Sequence, residues 1–180
     1  MIAIMSDALL DLFNAHIGCA RRLVPGEFLF HRDEPVAALF IVVEGEVQLI
    51  RHQEGGDAII LQRAGHGDIL AEASVFSSCY HYDGVTRTGA VVRSVEKGKS
   101  LDRFRNDPKF AEAWASHLAC EVQATRFRSE ILSFRTVAKR LDAWLAWHGN
   151  LPLKGEWVQF AFQVGISPEA LYREMARRRK

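Results

Sequence analysis

The residues with the clearest chemistry lie at the C-terminal end of this chain of 180 residues. From Trp157 a helical pattern runs into Gly165 and the chain turns at Ile166-Ser167. A second helix then restarts with Ser167 as N-cap, Pro168 at its first position and Glu169 at its second. Two short helices about such a turn form a helix-turn-helix, whose second helix presents its N-terminal turn to a DNA groove. That helix closes on Arg177-Arg178-Arg179-Lys180, and from Arg173 onward five basic residues stand against the single acid Glu174. Cations grouped in this way suit contact with phosphates. Two ordinary core helices with a solvated basic end would carry the same residues, so the elements ahead of the motif have to decide between the two readings.

Other reactive side chains are not spaced for catalysis or metal ligation. Ser74 and His81 stand apart with nothing to orient them, and the chain has no nucleophile elbow, phosphate loop, HExxH or paired-acid motif, so no enzyme is expected. Cys19, Cys79 and Cys120 are too few and too scattered for a disulfide framework or a zinc site, and read as reduced thiols. His16, His31, His52, His66, His117 and His148 lack metal-ligand spacing, and His66 between two glycines reads as a turn residue.

Composition sets the frame. With 48% hydrophobic and 25% charged residues the chain reads as a soluble globular protein of one or two domains. No apolar run approaches the roughly 18 residues of a membrane span, and a start bearing Asp7 without an early basic residue is not that of a signal peptide. The expected location is the cytoplasm. The formal net charge of +1 carries no information on nucleic acid; only its distribution does.

Along the chain the texture changes twice. Residues 6 to 20 open on a Ser cap, with Leu9, Leu10, Phe13 and Ile17 at helical spacing, and predict a short packing helix. From residue 22 to about 95, β-branched and aromatic alternation takes over. Glu27-Phe28-Leu29-Phe30, Leu39-Phe40-Ile41-Val42-Val43, Glu46-Val47-Gln48-Leu49-Ile50-Arg51, Ala58-Ile59-Ile60-Leu61 and Ala90-Val91-Val92-Arg93-Ser94-Val95 read as short strands. Pro25-Gly26, Glu44-Gly45, Gly55-Gly56-Asp57 and Gly65-His66-Gly67-Asp68 mark the turns, which together predict an antiparallel sandwich or barrel.

After Ser100 the strands stop. Asp107-Pro108 supplies the cap and start of a long helix in which Phe110, Trp114, Leu118 and Val122 recur every fourth residue and Phe127, Ile131 and Phe134 carry the stripe onward. A stripe of that length asks for a partner helix, most simply the same helix of a second subunit. The pattern resets near Arg135; Val137, Leu141, Trp144, Leu145 and Trp147 predict another helix, ended by Gly149-Asn150 ahead of Pro152. The expected fold is α+β. An antiparallel β-roll of jelly-roll or cupin-like form covers 1–106, a dimerisation helix 107–134, and a small helical helix-turn-helix domain 135–180.

These residues carry a family resemblance. Arg22-Leu23-Val24-Pro25-Gly26-Glu27-Phe28-Leu29-Phe30, Leu39 to Val47 with its Glu44-Gly45 corner, and Gly67-Asp68-Ile69-Leu70-Ala71-Glu72-Ala73-Ser74-Val75-Phe76 are similar to the successive β-roll signatures of the cyclic-nucleotide receptor and fumarate-nitrate regulator (CRP/FNR) family of bacterial transcription factors. The long helix and the C-terminal Gly165-x-Ser167-x-Glu169-x-x-x-Arg173 follow in the family's order. The resemblance implies a homodimer joined through helix 107–134 and a recognition helix in the major groove of a palindromic double-stranded site, its half-sites about one helical turn apart. Ser167, Glu169, Ala170, Tyr172, Arg173 and Arg177 then form the DNA-contacting set. Glu169 can accept from cytosine N4, and Arg173, one turn on, can reach guanine O6/N7 or a phosphate. Tyr172 and Arg177 lie nearer the backbone, while Glu169 and Arg173 could instead pair with each other at i, i+4.

Departures from the family pattern shape the rest. The effector pocket of nucleotide-binding members maps onto Ala71, Glu72, Ala73, Ser74, Tyr82 and Asp83; Glu72 keeps the acidic position, but Ala71 replaces a Gly and the phosphate positions fall at Tyr82-Asp83. A carboxylate there repels a phosphate. Arg87-Thr88 comes too late in the chain to take its place, so cyclic AMP is not the expected effector. An iron–sulfur cluster needs about four thiolates and is not expected, and Cys79-Tyr80-His81 lies too far past the Gly-Asp turn to hold haem as relatives do. At the reading helix, Pro168 stands where an Arg is common. The chain also stops at Lys180, before the family's two-stranded wing, which predicts weakened phosphate contact. The expected function is therefore a dimeric DNA-binding transcription regulator answering to an unidentified effector, without membrane association. The alternative is a ligand-sensing or protein-interaction module whose degenerate helix-turn-helix no longer reads DNA.

Overall fold

The computed structural model describes residues 12–13, 18–53 and 58–179, and the chain divides into two compact units, Met1–His117 and Leu118–Lys180. Most of the helix expected over 6–20 lies outside the described residues, as do Leu9, Leu10, His16, Ile17, the Gly55-Gly56-Asp57 turn and Lys180. The end of that expectation needs correction: Gly18 and Cys19 are not helical, and Ala20 already opens the first strand.

In the first unit, strands β1 (Ala20–Leu23), β2 (Phe28–Phe30), β3 (Ala38–Glu44), β4 (Val47–His52), β5 (Ala58–Ala64), β6 (Ile69–Leu70), β7 (Asp83–Thr86) and β8 (Ala90–Glu96) form two four-stranded sheets, in the orders β1-β8-β3-β6 and β2-β7-β4-β5. Every pairing is antiparallel, the jelly-roll arrangement the alternation predicts. The sheets meet through aromatic rings: Phe30 on β2 stacks on Phe40 of β3 at 5.4 Å and on Tyr80 at 4.2 Å. Leu39 and Val42 of β3 and Val47 of β4 are wholly buried between them. The Tyr80 hydroxyl donates to the Ala38 carbonyl at 2.9 Å and so satisfies its polar end.

One corner of the roll admits only glycine. Gly45 has φ 81°, and a Cβ there would lie 2.2 Å from the Gly89 carbonyl oxygen and 2.8 Å from the Ala90 Cα. The Glu44-Gly45 turn between β3 and β4 thus passes directly over the start of β8.

Helix α1 (Lys97–Asn106) follows β8, and α2 (Pro108–Ser133) is the long helix. Asp107 caps α2 as expected, its Oδ1 accepting from the Phe110 N–H at 3.2 Å. The apolar stripe of α2 is not one surface, however. Phe110 and Trp114 are buried against Phe13, with ring centroids 5.1 and 5.8 Å away, and belong to the first unit's core. Val122 is 46% exposed, whereas Ile131 is buried in the core of the second unit.

That second core gathers Ile131, Leu141 of α3 (Val137–His148), Trp157, Phe160 and Ala161 of α4 (Trp157–Gln163), Val164, and Leu171 of α5 (Pro168–Arg178). Thr136 caps α3 by accepting from the Lys139 N–H, and Gly149 ends it at φ 77°. The pair α4–α5 across Gly165 is the helix-turn-helix that the sequence predicts.

Candidate nucleic-acid interface and effector pocket

Helix α5 is built as its sequence dictates. Ser167 Oγ accepts from the Ala170 N–H at 3.2 Å, and Pro168 sits at the first helical position where its missing N–H costs nothing. Leu171 is wholly buried and anchors one side. Glu169, Tyr172, Arg173, Ala176 and Arg177 are exposed, at the i, i+3, i+4, i+7, i+8 spacing of a single solvent face, and Ala170 is half-buried at its edge. The Glu169 carboxyl is held below the usual glutamate range by its own amide N–H and by the Ser167 hydroxyl, so it is an anion, and an acceptor only, at neutral pH. Among the described residues no ion pair joins Glu169 to Arg173.

The basic end divides in two. Arg177 forks onto Glu174, with Nε to Oε2 at 2.9 Å and Nη2 to Oε1 at 2.8 Å, while its side chain stays 69% exposed. Arg178 is structural: its Nε donates to Glu174 Oε1 at 3.0 Å, and its Nη2 reaches Asp142 Oδ1 at 2.8 Å and the Ala138 carbonyl at 2.9 Å, tying α5 to α3. The Arg177 fork is the largest cause holding the Glu174 carboxyl below its ordinary range. Two of the arginines thus share Glu174, which offsets one of the positive charges from Arg173 onward. Tyr172 is 42% exposed, its ring tilted against Trp157 at 5.3 Å, which fixes where its hydroxyl points.

Arg140 on α3 is a residue that sequence reasoning missed. Its guanidinium donates to four carbonyls: Phe134 (Nε, 2.8 Å), Leu132 (Nη2, 3.2 Å), Gly165 (Nη1, 2.5 Å) and Val164 (Nη1, 3.3 Å). A lone Arg in an amphipathic helix gives no sequence signal of such a role.

In the β-roll, Ala71 takes the left-handed conformation at φ 65° and leads into a single 3-10 turn, Glu72–Ser74, on which Glu72 and Ser74 are buried and Ala73 is exposed. Tyr82 is 36% exposed beside the start of β7. Asp83 is engaged by its own chain. Its Oδ1 accepts from the Arg32 N–H at 2.9 Å and lies 3.6 Å from His31 Nδ1, and its Oδ2 lies 3.2 Å from His52 Nδ1. Partial burial pushes this carboxyl up, but the Arg32 amide and the two imidazoles outweigh it and leave the group below its ordinary value. Asp83 is thus an ionised carboxylate satisfied by its own chain. Arg87 and Thr88 are held elsewhere: Arg87 Nη1 lies 3.7 Å from Glu46 Oε1, and Thr88 Oγ1 accepts from the Glu46 N–H at 3.1 Å.

His81 Nε2 is bonded to Ser77 Oγ at 3.0 Å, while Cys79 lies in an isolated β-bridge to Pro35. Among the described residues no group of three or more His, Cys, Asp or Glu is placed to hold a metal ion.

Comparison with known proteins adds the family. Residues 20–107 match the model of the cyclic nucleotide-binding domain. A cyclic AMP receptor protein of Thermus thermophilus is 29% identical over 130 residues, a match covering 67% of this chain and 57% of that protein. Among solved structures, the c-di-GMP responsive global regulator CLP of Xanthomonas campestris is 20% identical, with TM-score 0.65 over 95% of this chain and 92% of that one. FixK2 of Bradyrhizobium japonicum is 17% identical, with TM-score 0.67 over 88% and 83%. The domain match takes in the whole β-roll from β1 to β8, including the turn that follows β6. The chain is thus similar to these regulators in fold, and it spans 57% of the length of the curated relative that it matches. Among the described residues no helix is long and apolar enough to cross a membrane.

Proposed function

We propose that the chain is a DNA-binding transcription regulator that acts as a homodimer in the cytoplasm and answers to an effector other than cyclic AMP. In this reading 1–106 senses, 107–134 dimerises and 135–180 reads DNA. The observation that carries it is the exposed face of α5, where an anionic Glu169 and an Arg173 with no ion pair to it stand one turn apart behind a Ser-Pro start. These are an acceptor suited to cytosine N4 and a donor suited to guanine O6/N7, each such contact being worth roughly 1 to 3 kcal/mol. Ser167, Ala170, Tyr172 and Arg177 flank them and contribute backbone contacts.

The test is selection of bound sequences from a random duplex library, followed by mobility shift. An enriched palindrome is expected, with affinity that falls steeply with salt. Arg173→Ala should weaken binding roughly 5- to 150-fold and relax one base position. Equal retention of all sequences, unaltered by Arg173→Ala, would refute specific readout. A second reading, a ligand-sensing or protein-interaction module, draws support from the Arg177 fork on Glu174, which reduces the charge available to phosphates. Failure of any duplex to bind at low salt would favour it.

A further inference from the structure

We propose that Arg140 is a positioning residue for DNA reading, the cation that fixes the turn of the helix-turn-helix against the C-terminal end of the long helix. The inference rests on the assignment of α5 as the reading helix. Leu132 lies in the last turn of α2 and Phe134 just beyond it; Val164 and Gly165 end α4 and make the turn into α5. The carbonyls of all four accept from the one guanidinium.

Last-turn carbonyls lack intrahelical donors, and each helix carries partial negative charge at this end. Two such ends facing one another are unfavourable without a cation between them. Arg supplies what a Lys cannot: a planar fork whose separate N–H groups address both ends at once. The contact is also close in the apolar sense. Gly165 has φ 66°, and a Cβ there would lie 2.2 Å from Leu132 Cδ2 and 3.0 Å from Arg140 Nη1. The turn therefore sits directly on the end of α2, with no space between them for an adjusting layer.

The cap of α5 begins two residues past Gly165, so where the turn is held determines which way Glu169 and Arg173 face. Arg140 touches no DNA in this scheme; it acts through the turn.

Amide hydrogen exchange on the full chain tests the latch without DNA, and mobility shift on the selected duplex tests its consequence. In Arg140→Gln, exchange at Gly165 and Ile166, whose N–H groups donate to Phe162 and Ala161, should quicken at least 10-fold while Leu141 and Leu171 stay protected. Affinity for the duplex should drop by a similar factor, and Arg140→Lys should recover part of both. Unchanged exchange at 165 and 166 would overturn the proposal. So would equal acceleration of every amide over 137–178 in both variants, which would make Arg140 merely a stability residue. A wild-type chain that binds no duplex would remove the DNA reading, yet the exchange comparison would still decide whether Arg140 holds the turn.

Discussion

Asp83 is a carboxylate whose charge is satisfied within its own chain. At the position where a nucleotide-binding relative is expected to neutralise a phosphate, this carboxylate accepts from the Arg32 amide and lies beside His31 and His52. Its folded value is below the ordinary aspartate value of about 3.9, so its contribution is complete above that pH and lost as pH falls through the folded value. Asp83→Asn should therefore lower the melting temperature near pH 7 by a few degrees, on the scale of roughly 1 to 2 kcal/mol for weakening a partly exposed hydrogen bond to a charged group. The gap between variant and wild type should close below about pH 4. A gap that is constant from pH 7 to pH 3 would show that the carboxylate's charge is not what matters. The identity of residue 83 was legible in the sequence, but its partners were not. His31 and Arg32, just past the end of β2, and His52 of β4 are brought to it by the register of the β2-β7-β4 sheet.

Helix α2 is the element whose reading changed most. Its fourfold apolar repeat predicted a continuous surface for a partner, and the structure divides that repeat, with Phe110 and Trp114 in one core and Ile131 in another. Val122 and Leu132 are the large apolar residues of α2 that stay exposed, and Val122 lies mid-helix where the proposed dimer would need a contact. If the proposed dimer forms through α2, the wild-type chain should have twice the monomer mass in sedimentation equilibrium at micromolar concentration and Val122→Glu the monomer mass, by placing a charge in a desolvated contact; a monomeric wild type or an unaltered mass would refute a dimer contact at Val122. Strands with clean alternation, β3, β4 and β8, were legible, as were the caps at Asp107 and Ser167 and the stop at Gly149. Three strands and a helix were not. β1 is Ala-Arg-Arg-Leu, β6 has two residues, and β7 begins with the turn-like Asp83-Gly84. α1 holds Gly98 among mostly polar residues, so its periodicity is faint. In each case tertiary pairing overrides a weak local pattern.

For the molecule as a whole, family and ligand have to be kept apart. The cyclic nucleotide-binding domain match covers 20–107, and a relative in Thermus thermophilus is a cyclic AMP receptor protein. The function proposed above assigns this chain another effector, because Asp83 is a carboxylate held by its own chain. Addition of cyclic AMP at 100 micromolar should leave the melting temperature unchanged. A ligand at 100 times its Kd would add about 2.7 kcal/mol, so a clear upward shift would show that another base has taken the phosphate role.

The fit of Gly165 onto Leu132 also limits how such a regulator can be re-engineered. A side chain at 165 would collide with Leu132, and a smaller residue at 132 would leave the turn and Arg140 without their seat. Positions 132, 140 and 165 therefore form one transplantable joint. Exchange of the reading helix for one of another specificity should keep all three, while exposed positions such as 169, 172, 173 and 176 are free to vary with the target sequence.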